Sequence, residues 1–208
     1  MVYQQDLKLF APHKTKLNPL KLDFTSNKFK HKISQDYNFK QNLAKAIGIK
    51  KNPQVWDVTA GLAKDAFNIA SLGSQVILIE RNLIIAELLK QALDNAKQDL
   101  TIAPIVNNMR LIVGESKLIM PTIKTKPDVI YLDPMFPENK NRRKPDREKQ
   151  FLRAIVIDKS SDDLLLTTCK KYASKVVVKR SVKDGYLSGI KPSGEILGKT
   201  TRYDIYQQ

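Results

Sequence analysis

The chain has 208 residues, 42% of them hydrophobic, and 36 Lys and Arg against 21 Asp and Glu leave a formal charge of +15. That size fits one α/β domain with a small appendage and buries a core without a staple, while a single cysteine, Cys169, excludes a disulfide framework and a thiolate metal cluster. No apolar run nears the ~20 residues that span a bilayer and the start lacks the pattern of a secretory signal, so a soluble cytoplasmic protein is expected, one whose positive field gathers polyanions, nucleic acid first among them.

Residues 1–19 carry scattered Lys and Pro with a weak apolar pattern and read as an irregular arm. Leu20, Leu22 and Phe24 alternate with polar residues, as do Phe29, His31 and Ile33 after the turn Thr25-Ser26-Asn27-Lys28, which predicts a β-hairpin. Phe39, Leu43, Ala46 and Ile47 share one helical face that Gly48 would end. Residues 1–50 are therefore expected to form an appendage, with Lys30 and Lys32 as candidate polyanion contacts. From residue 53 the pattern turns regular. Strands are predicted at Val55–Val58, Gln75–Glu80, Arg110–Val113, Asp128–Leu132 and Lys175–Lys179. Between them fall helices at Ala63–Leu72, Asn82 to about Lys97, Leu118–Ile123 and Asp162–Tyr172. Glu195–Leu197 and Thr201–Tyr206 read as a closing antiparallel pair. Such alternation predicts an α/β fold over residues 51–208, with a mainly parallel sheet covered by helices on both faces.

Ligands of open α/β sheets bind beyond the carboxyl ends of the strands. The first such end here runs Asp57-Val58-Thr59-Ala60-Gly61-Leu62-Ala63-Lys64-Asp65, a small-residue turn through which backbone can approach a ligand closely. Tight packing alone would also select its Gly and Ala. The second is Ile79-Glu80-Arg81-Asn82, where Glu80 lies about 20 residues past the turn, a position from which an acid can accept both ribose hydroxyls of a nucleoside. It could instead be a charge at the start of the next helix. The third is Gly114-Glu115-Ser116, whose polar groups could meet an adenine ring. A dinucleotide wants three glycines and an unopposed helix N-terminus for its pyrophosphate. Only Gly61 is present, and Asp65 would repel a pyrophosphate but tolerate a cationic sulfonium. That favours S-adenosylmethionine over NAD.

The segment Val129-Ile130-Tyr131-Leu132-Asp133-Pro134-Met135-Phe136-Pro137 ends an apolar strand in an acid, a ring-locked proline and an aromatic. It resembles the acid/amide-Pro-Pro-aromatic signature of methyltransferases that act on base amines. The lone pair of such an amine is delocalised into the ring. A carboxylate or carbonyl that accepts its N–H bonds favours the lone-pair-forward geometry. Asp133 and the Pro134 carbonyl are the candidates, and the carboxylate can also take the departing proton. Pro134 fixes the backbone and Phe136 can stack on an extruded base, worth roughly 1–3 kcal/mol. Beyond it, Lys140, Arg142, Arg143 and Lys144 form a cationic loop able to hold phosphates without reading sequence, unless it is a solvated loop alone. His13 and His31 have no partners for a metal site, and none is expected.

These residues resemble the bacterial small-subunit ribosomal RNA guanine-N2 methyltransferase J family. The resemblance runs from about Leu20 onward. Leu22-Asp23-Phe24, Ala44-Lys45-Ala46-Ile47-Gly48-Ile49-Lys50, Asp57 to Phe67, Glu80-Arg81-Asn82, Tyr131 to Pro137, Val176 to Arg180 and Arg202-Tyr203-Asp204-Ile205-Tyr206 carry it. It implies a Rossmann-like seven-stranded fold and donor contacts at Lys64, Asp65, Glu80, Arg81, Glu115, Ser116 and Asp133. It further implies methylation of a guanine N2 near the 3′ end of 16S ribosomal RNA, free or in the small subunit, with S-adenosylhomocysteine as by-product, and RNA as the partner of the basic groups. A monomer is expected. Ala63 departs from a usual Gly, Lys64 from a usual Arg and Glu115 from a usual Ser. The alternatives are an adenine-N6 or other base-amine methyltransferase, and a donor-binding RNA-interacting protein without catalysis.

Overall fold

In the computed structural model the described residues are 7–10, 19–34, 41–134 and 164–208. The strands are β1 (Val55–Asp57), β2 (Val76–Glu80), β3 (Met109–Val113), β4 (Val129–Leu132), β5 (Lys175–Ser181), β6 (Gly194–Leu197) and β7 (Thr201–Gln207). The helices are α1 (Asn27–Ser34), α2 (Asn42–Ile47), α3 (Lys64–Ser71), α4 (Leu83–Ala96), α5 (Ala103–Val106), α6 (Ser116–Ile119) and α7 (Leu165–Cys169). All seven strands join one sheet in the order β3-β2-β1-β4-β5-β7-β6. The first five are parallel, and β7 inserts antiparallel between β5 and β6. This is the mainly parallel sheet that the alternating pattern predicted, with the seven strands of the Rossmann-like fold that the resemblance implied.

The strand sequences explain why the sheet is covered on both sides. Every residue of β1, β2 and β4 is buried, as near-continuous apolar runs in a parallel sheet require. Alternate residues then feed two cores. Val55, Val76, Leu78, Val129, Tyr131 and Val177 face one, beneath α2, α3, α4 and α5. Trp56, Ile77, Ile79, Ile130, Leu132, Val176 and Val178 face the other, beneath α7 and the Met120 turn. Since β1, β2, β4 and β5 run the same way, their carboxyl ends and the loops that follow collect along one edge.

The expected hairpin is not formed. Leu20 does pair antiparallel, but with Leu9, through reciprocal backbone bonds of 2.9 and 2.8 Å, and residues 27–34 are helix. The reason lies in the polar turn. Asp23 Oδ1 accepts the Thr25 N–H and hydroxyl at 2.9 and 2.7 Å, and the Ser26 carbonyl accepts the N–H groups of Phe29 and Lys30. A turn that feeds its carbonyls forward starts a helix. The inward pair is then Phe29 and Ile33, spaced i, i+4, and not an alternation through His31, which is exposed.

Phe29 packs edge-on against Phe24 and Phe67 at centroid distances of 5.0 and 4.9 Å, and Phe24 stacks on Phe67 at 5.1 Å. Phe67 belongs to α3, so residues 20–34 and 41–49 share their core with the sheet. Gly48, with φ of +80°, ends α2 as the sequence indicated. Among the described residues no helix is long and apolar enough to cross a membrane.

Candidate active site

The link from β1 to α3 makes two left-handed steps, at Gly61 (φ +51°) and Ala63 (φ +51°). Glycine takes that conformation freely and alanine at a cost of roughly 1–2 kcal/mol. The backbone at position 63 therefore suits a glycine better than it suits Ala63. Glu80, at the end of β2, holds the turn: one carboxylate oxygen accepts the Gly61 N–H at 2.7 Å and the other the Asn82 N–H at 2.8 Å. Asn82 in turn caps α4 by accepting from Ile84 and Ile85. The acid that the spacing singled out thus braces both the Gly61 turn and the next helix, and it accepts a further backbone bond from Arg81. Burial pushes Glu80 above the usual glutamate value, with the Asn82 and Gly61 N–H bonds opposing.

Arg81 and Glu115 pair across the ends of β2 and β3 at 3.4 Å. The Ser116 hydroxyl donates to the Val58 carbonyl, and the residue is buried. Lys64 opens α3 and is half-buried.

At the centre lie Asp57, Asp65 and Asp133. Asp57, only 3% exposed, accepts the Thr59 N–H at 3.2 Å. Burial drives its carboxyl well above the usual value, and Asp65, Asp133 and Glu80 add to the effect by repulsion. The Asp133 N–H donates to Thr59 Oγ1 at 2.8 Å, which fixes the strand end, and Pro134 is buried behind it. Two residues that sequence reasoning passed over complete the arrangement. Tyr131 donates its hydroxyl to Asp65 Oδ2 at 2.6 Å. The Lys179 ammonium lies 2.6 Å from Asp65 and 3.0 Å from Asp133. Burial alone would depress Lys179, but the two carboxylates outweigh it and hold the ammonium above the ordinary lysine value. The signal for Lys179 was faint: a charge that follows the Val176–Val178 run of β5, with Arg180 beside it.

The structure thus brings together Asp57, Gly61, Asp65, Glu80, Asp133 and Pro134, with Arg81, Glu115 and Ser116 on the β3 side. Lys30 stands elsewhere, paired with Asp99 at 2.5 Å beyond the end of α4. Beside it a groove of about 430 Å³, lined by Asn27, Lys30, His31, Ile33 and Thr101, holds none of the strand-end groups. Phe136, Lys140, Arg142, Arg143, Lys144 and the side chain of Lys32 lie outside the described residues.

A family described as "Putative SAM-dependent methyltransferase" matches residues 1–208. A ribosomal RNA small subunit methyltransferase J from Pseudomonas fluorescens is 41% identical over 192 residues, covering 90% of this chain and 74% of that protein. This chain belongs to that family of SAM-dependent methyltransferases. A second ribosomal RNA small subunit methyltransferase J, from Thioalkalivibrio sulfidiphilus, is 37% identical over 193 residues, covering 90% of this chain and 76% of that one. A SAM-dependent methyltransferase from Neisseria gonorrhoeae superposes with a TM-score of 0.74 at 30% identity, over 94% of this chain and 76% of that one. An RNA methyltransferase from Salinibacter ruber shares the fold, with a TM-score of 0.51 at 13% identity over 79% of this chain and 86% of that one.

The cofactor of this methyltransferase is S-adenosylmethionine, and the strand-end chemistry fits it. Asp57, Asp65, Glu80 and Asp133 crowd one edge, and the repulsion that adds to the effect of burial on Asp57 is what a bound sulfonium would relieve. Gly61 leaves room for a ligand, since a side chain there would meet only the Thr59 carbonyl, at 3.9 Å. Among the described residues no group of His, Cys, Asp and Glu could hold a metal ion.

Proposed function

We propose that this methyltransferase places a methyl group on the exocyclic N2 of a guanine near the 3′ end of 16S ribosomal RNA, acting in the cytoplasm on free RNA or the small subunit. The observation that carries this reading is Asp133, a carboxylate fixed at the end of β4 by Thr59 and Lys179 and followed by the buried Pro134. The RNA substrate and the guanine follow from the relatives' name and the family resemblance, not from the geometry.

When bound, S-adenosylmethionine supplies a methyl carbon already activated by positive sulfur. The protein's part is placement. Glu80 and the Gly61 turn hold the nucleoside end. Asp133 and the Pro134 carbonyl accept the amine N–H bonds, so that the nitrogen lone pair faces the methyl carbon. Methyl transfer from the sulfonium would leave the amine with a surplus proton, which Asp133 would take directly or through water. Phe136 is placed by the sequence to stack on the base, and Lys140, Arg142, Arg143 and Lys144 to hold the strand's phosphates. Lys30 is already paired with Asp99.

Mass mapping of methylated nucleosides in ribosomal RNA from cells with and without the gene tests the reading. Loss of one N2-methylguanosine is expected. Loss of a methyladenosine instead would move the substrate to adenine N6, and donor binding with no lost methyl would leave a non-catalytic RNA-interacting protein.

A further inference from the structure

We infer that Lys179 is a positioning residue for methyl transfer, a cationic clasp that sets the Asp133 carboxylate against the donor turn. The assignment rests on Asp133 being the acceptor of the amine proton, as proposed above. Lys179 stands on β5 one residue beyond Val178, which pairs with Leu132 of β4, so parallel register brings it beside Asp133. From there its ammonium reaches Asp65 in the first turn of α3, at 2.6 Å, and Asp133 at 3.0 Å. One side chain therefore joins three elements: the strand that carries it, the helix that follows the donor turn, and the strand end that faces the base.

The arrangement is asymmetric. Asp65 has a second donor, the Tyr131 hydroxyl at 2.6 Å, and so keeps a partner if Lys179 is removed. Asp133 would lose the ion pair at its Oδ2, and among the described residues it would keep the bond from its backbone N–H to Thr59 Oγ1. Without the ammonium, two carboxylates that now share a cation would face each other unscreened, and repulsion would turn Asp133 from its place or leave the pair holding a proton. Either outcome removes the acceptor that the amine needs. A donor-binding role predicts the opposite. An ammonium close to where a sulfonium binds repels it, so losing Lys179 should not weaken S-adenosylmethionine.

The test uses the full chain with Lys179→Met, Lys179→Arg and Asp133→Asn/Lys179→Met. Donor affinity is measured by calorimetry, and methyl transfer on small-subunit RNA from cells lacking the gene. Lys179→Met should lower kcat about 100-fold, the scale of a small misplacement of reacting groups. Its KM for RNA and its affinity for S-adenosylmethionine should stay within about threefold of the native values or tighten. Arginine, whose fork can bridge two carboxylates, should recover about tenfold of the loss. Removing Lys179 from the Asp133→Asn protein should cost less than about threefold, because a residue that acts through Asp133 has nothing left to position. Native-like turnover in Lys179→Met overturns the inference, as does donor affinity falling in step with kcat, or a full additional loss in the double variant. Should the methionine variant fold poorly, Lys179→Gln, which donates hydrogen bonds without the charge, is read by the same criteria. A native chain that methylates no guanine N2 would sink the proposed function instead, a result distinct from all of these.

Discussion

Asp133→Asn is the sharpest test of the acceptor end because the structure fixes which way the new amide turns. Lys179 donates to Asp133 Oδ2 at 3.0 Å. An asparagine must meet that ammonium with its carbonyl oxygen, which turns its NH₂ group toward the position of the other carboxylate oxygen. The substrate amine would then meet a donor where it needs an acceptor, and the proton would lose its destination. Two opposed donors cost about 1–3 kcal/mol, and loss of a positioned base costs about 10²–10⁴ in rate. Turnover should therefore fall at least 100-fold, on the order of the lower limit for a lost base. Folding should hardly notice. The Asp133 side chain is 33% exposed, and Lys179 keeps Asp65 at 2.6 Å. A partly exposed pair of this kind is worth about 1 kcal/mol at most, or a melting shift below about 4 °C in a chain of this size. Labelled-methyl transfer and a thermal melt measure the two quantities. Turnover within about fivefold of native in a well-folded protein would refute the role given to Asp133.

Asp57→Asn should raise the melting temperature at pH 8 and lose that gain as the pH falls to 4. Asp57's folded value lies above its unfolded one, so its contribution to stability is fully present below the unfolded value of 3.8 and disappears as pH rises through the raised folded value. A variant less stable than native at pH 8 would contradict the burial argument. Phe24→Ala should cost about 3–5 kcal/mol, lowering the melting point by about 6–20 °C at about 2–4 °C per kcal/mol. Phe24 is fully buried and touches both Phe29 and Phe67, and an unchanged melt would mean that the N-terminal segment does not share the sheet's core. Replacing Lys140, Arg142, Arg143 and Lys144 together by alanine should flatten the salt dependence of RNA affinity by up to about 3 in log–log slope. Donor affinity should be unaltered, and an unchanged slope would remove that loop from the docking surface.

The sheet was legible because its strands are short apolar runs punctuated by turn residues, and parallel strands buried on both faces have no other sequence signature. Glu80 was legible from its distance to Gly61, and Asp133 from the proline and aromatic that follow it. The hairpin was misread because Phe29, His31 and Ile33 satisfy period two as readily as Phe29 and Ile33 satisfy period four. What decided between them was the local chemistry of Asp23, Thr25 and Ser26, whose hydrogen bonds favour a helix start. Lys179 and Tyr131 escaped because their meaning is tertiary. Nothing near Lys179 in the chain predicts that Asp65, more than a hundred residues earlier, will lie 2.6 Å away. The four acids were each visible, but their crowding was not, since repulsion among Asp57, Asp65, Glu80 and Asp133 exists only once the strand ends converge.

That convergence explains why the least comfortable residues of the chain sit together. Asp57 and Glu80 are buried carboxyls raised by desolvation, Ala63 takes a backbone conformation that suits glycine, and Lys179 is an ammonium drawn into a largely buried position. The two carboxyls and Ala63 oppose folding, while Lys179 is held in place by the carboxylates it pairs with; all lie along the carboxyl edge, while the two cores behind them are almost wholly apolar. Strain of this kind persists only where the surrounding structure over-determines it. Here the sheet and the Phe24–Phe29–Phe67 cluster supply that determination. A site that must receive a sulfonium gains from being too negative beforehand, because the cation then binds where it lowers existing repulsion. The same excess endangers the acceptor, since an uncompensated Asp133 would be turned aside or protonated by its neighbours. On the proposed reading, Lys179 resolves the conflict by sharing its positive charge between Asp65 and Asp133, the pair beside the reaction, while Asp57 and Glu80 are left to the donor side. The division of labour among the four acids is thus set by where one lysine points.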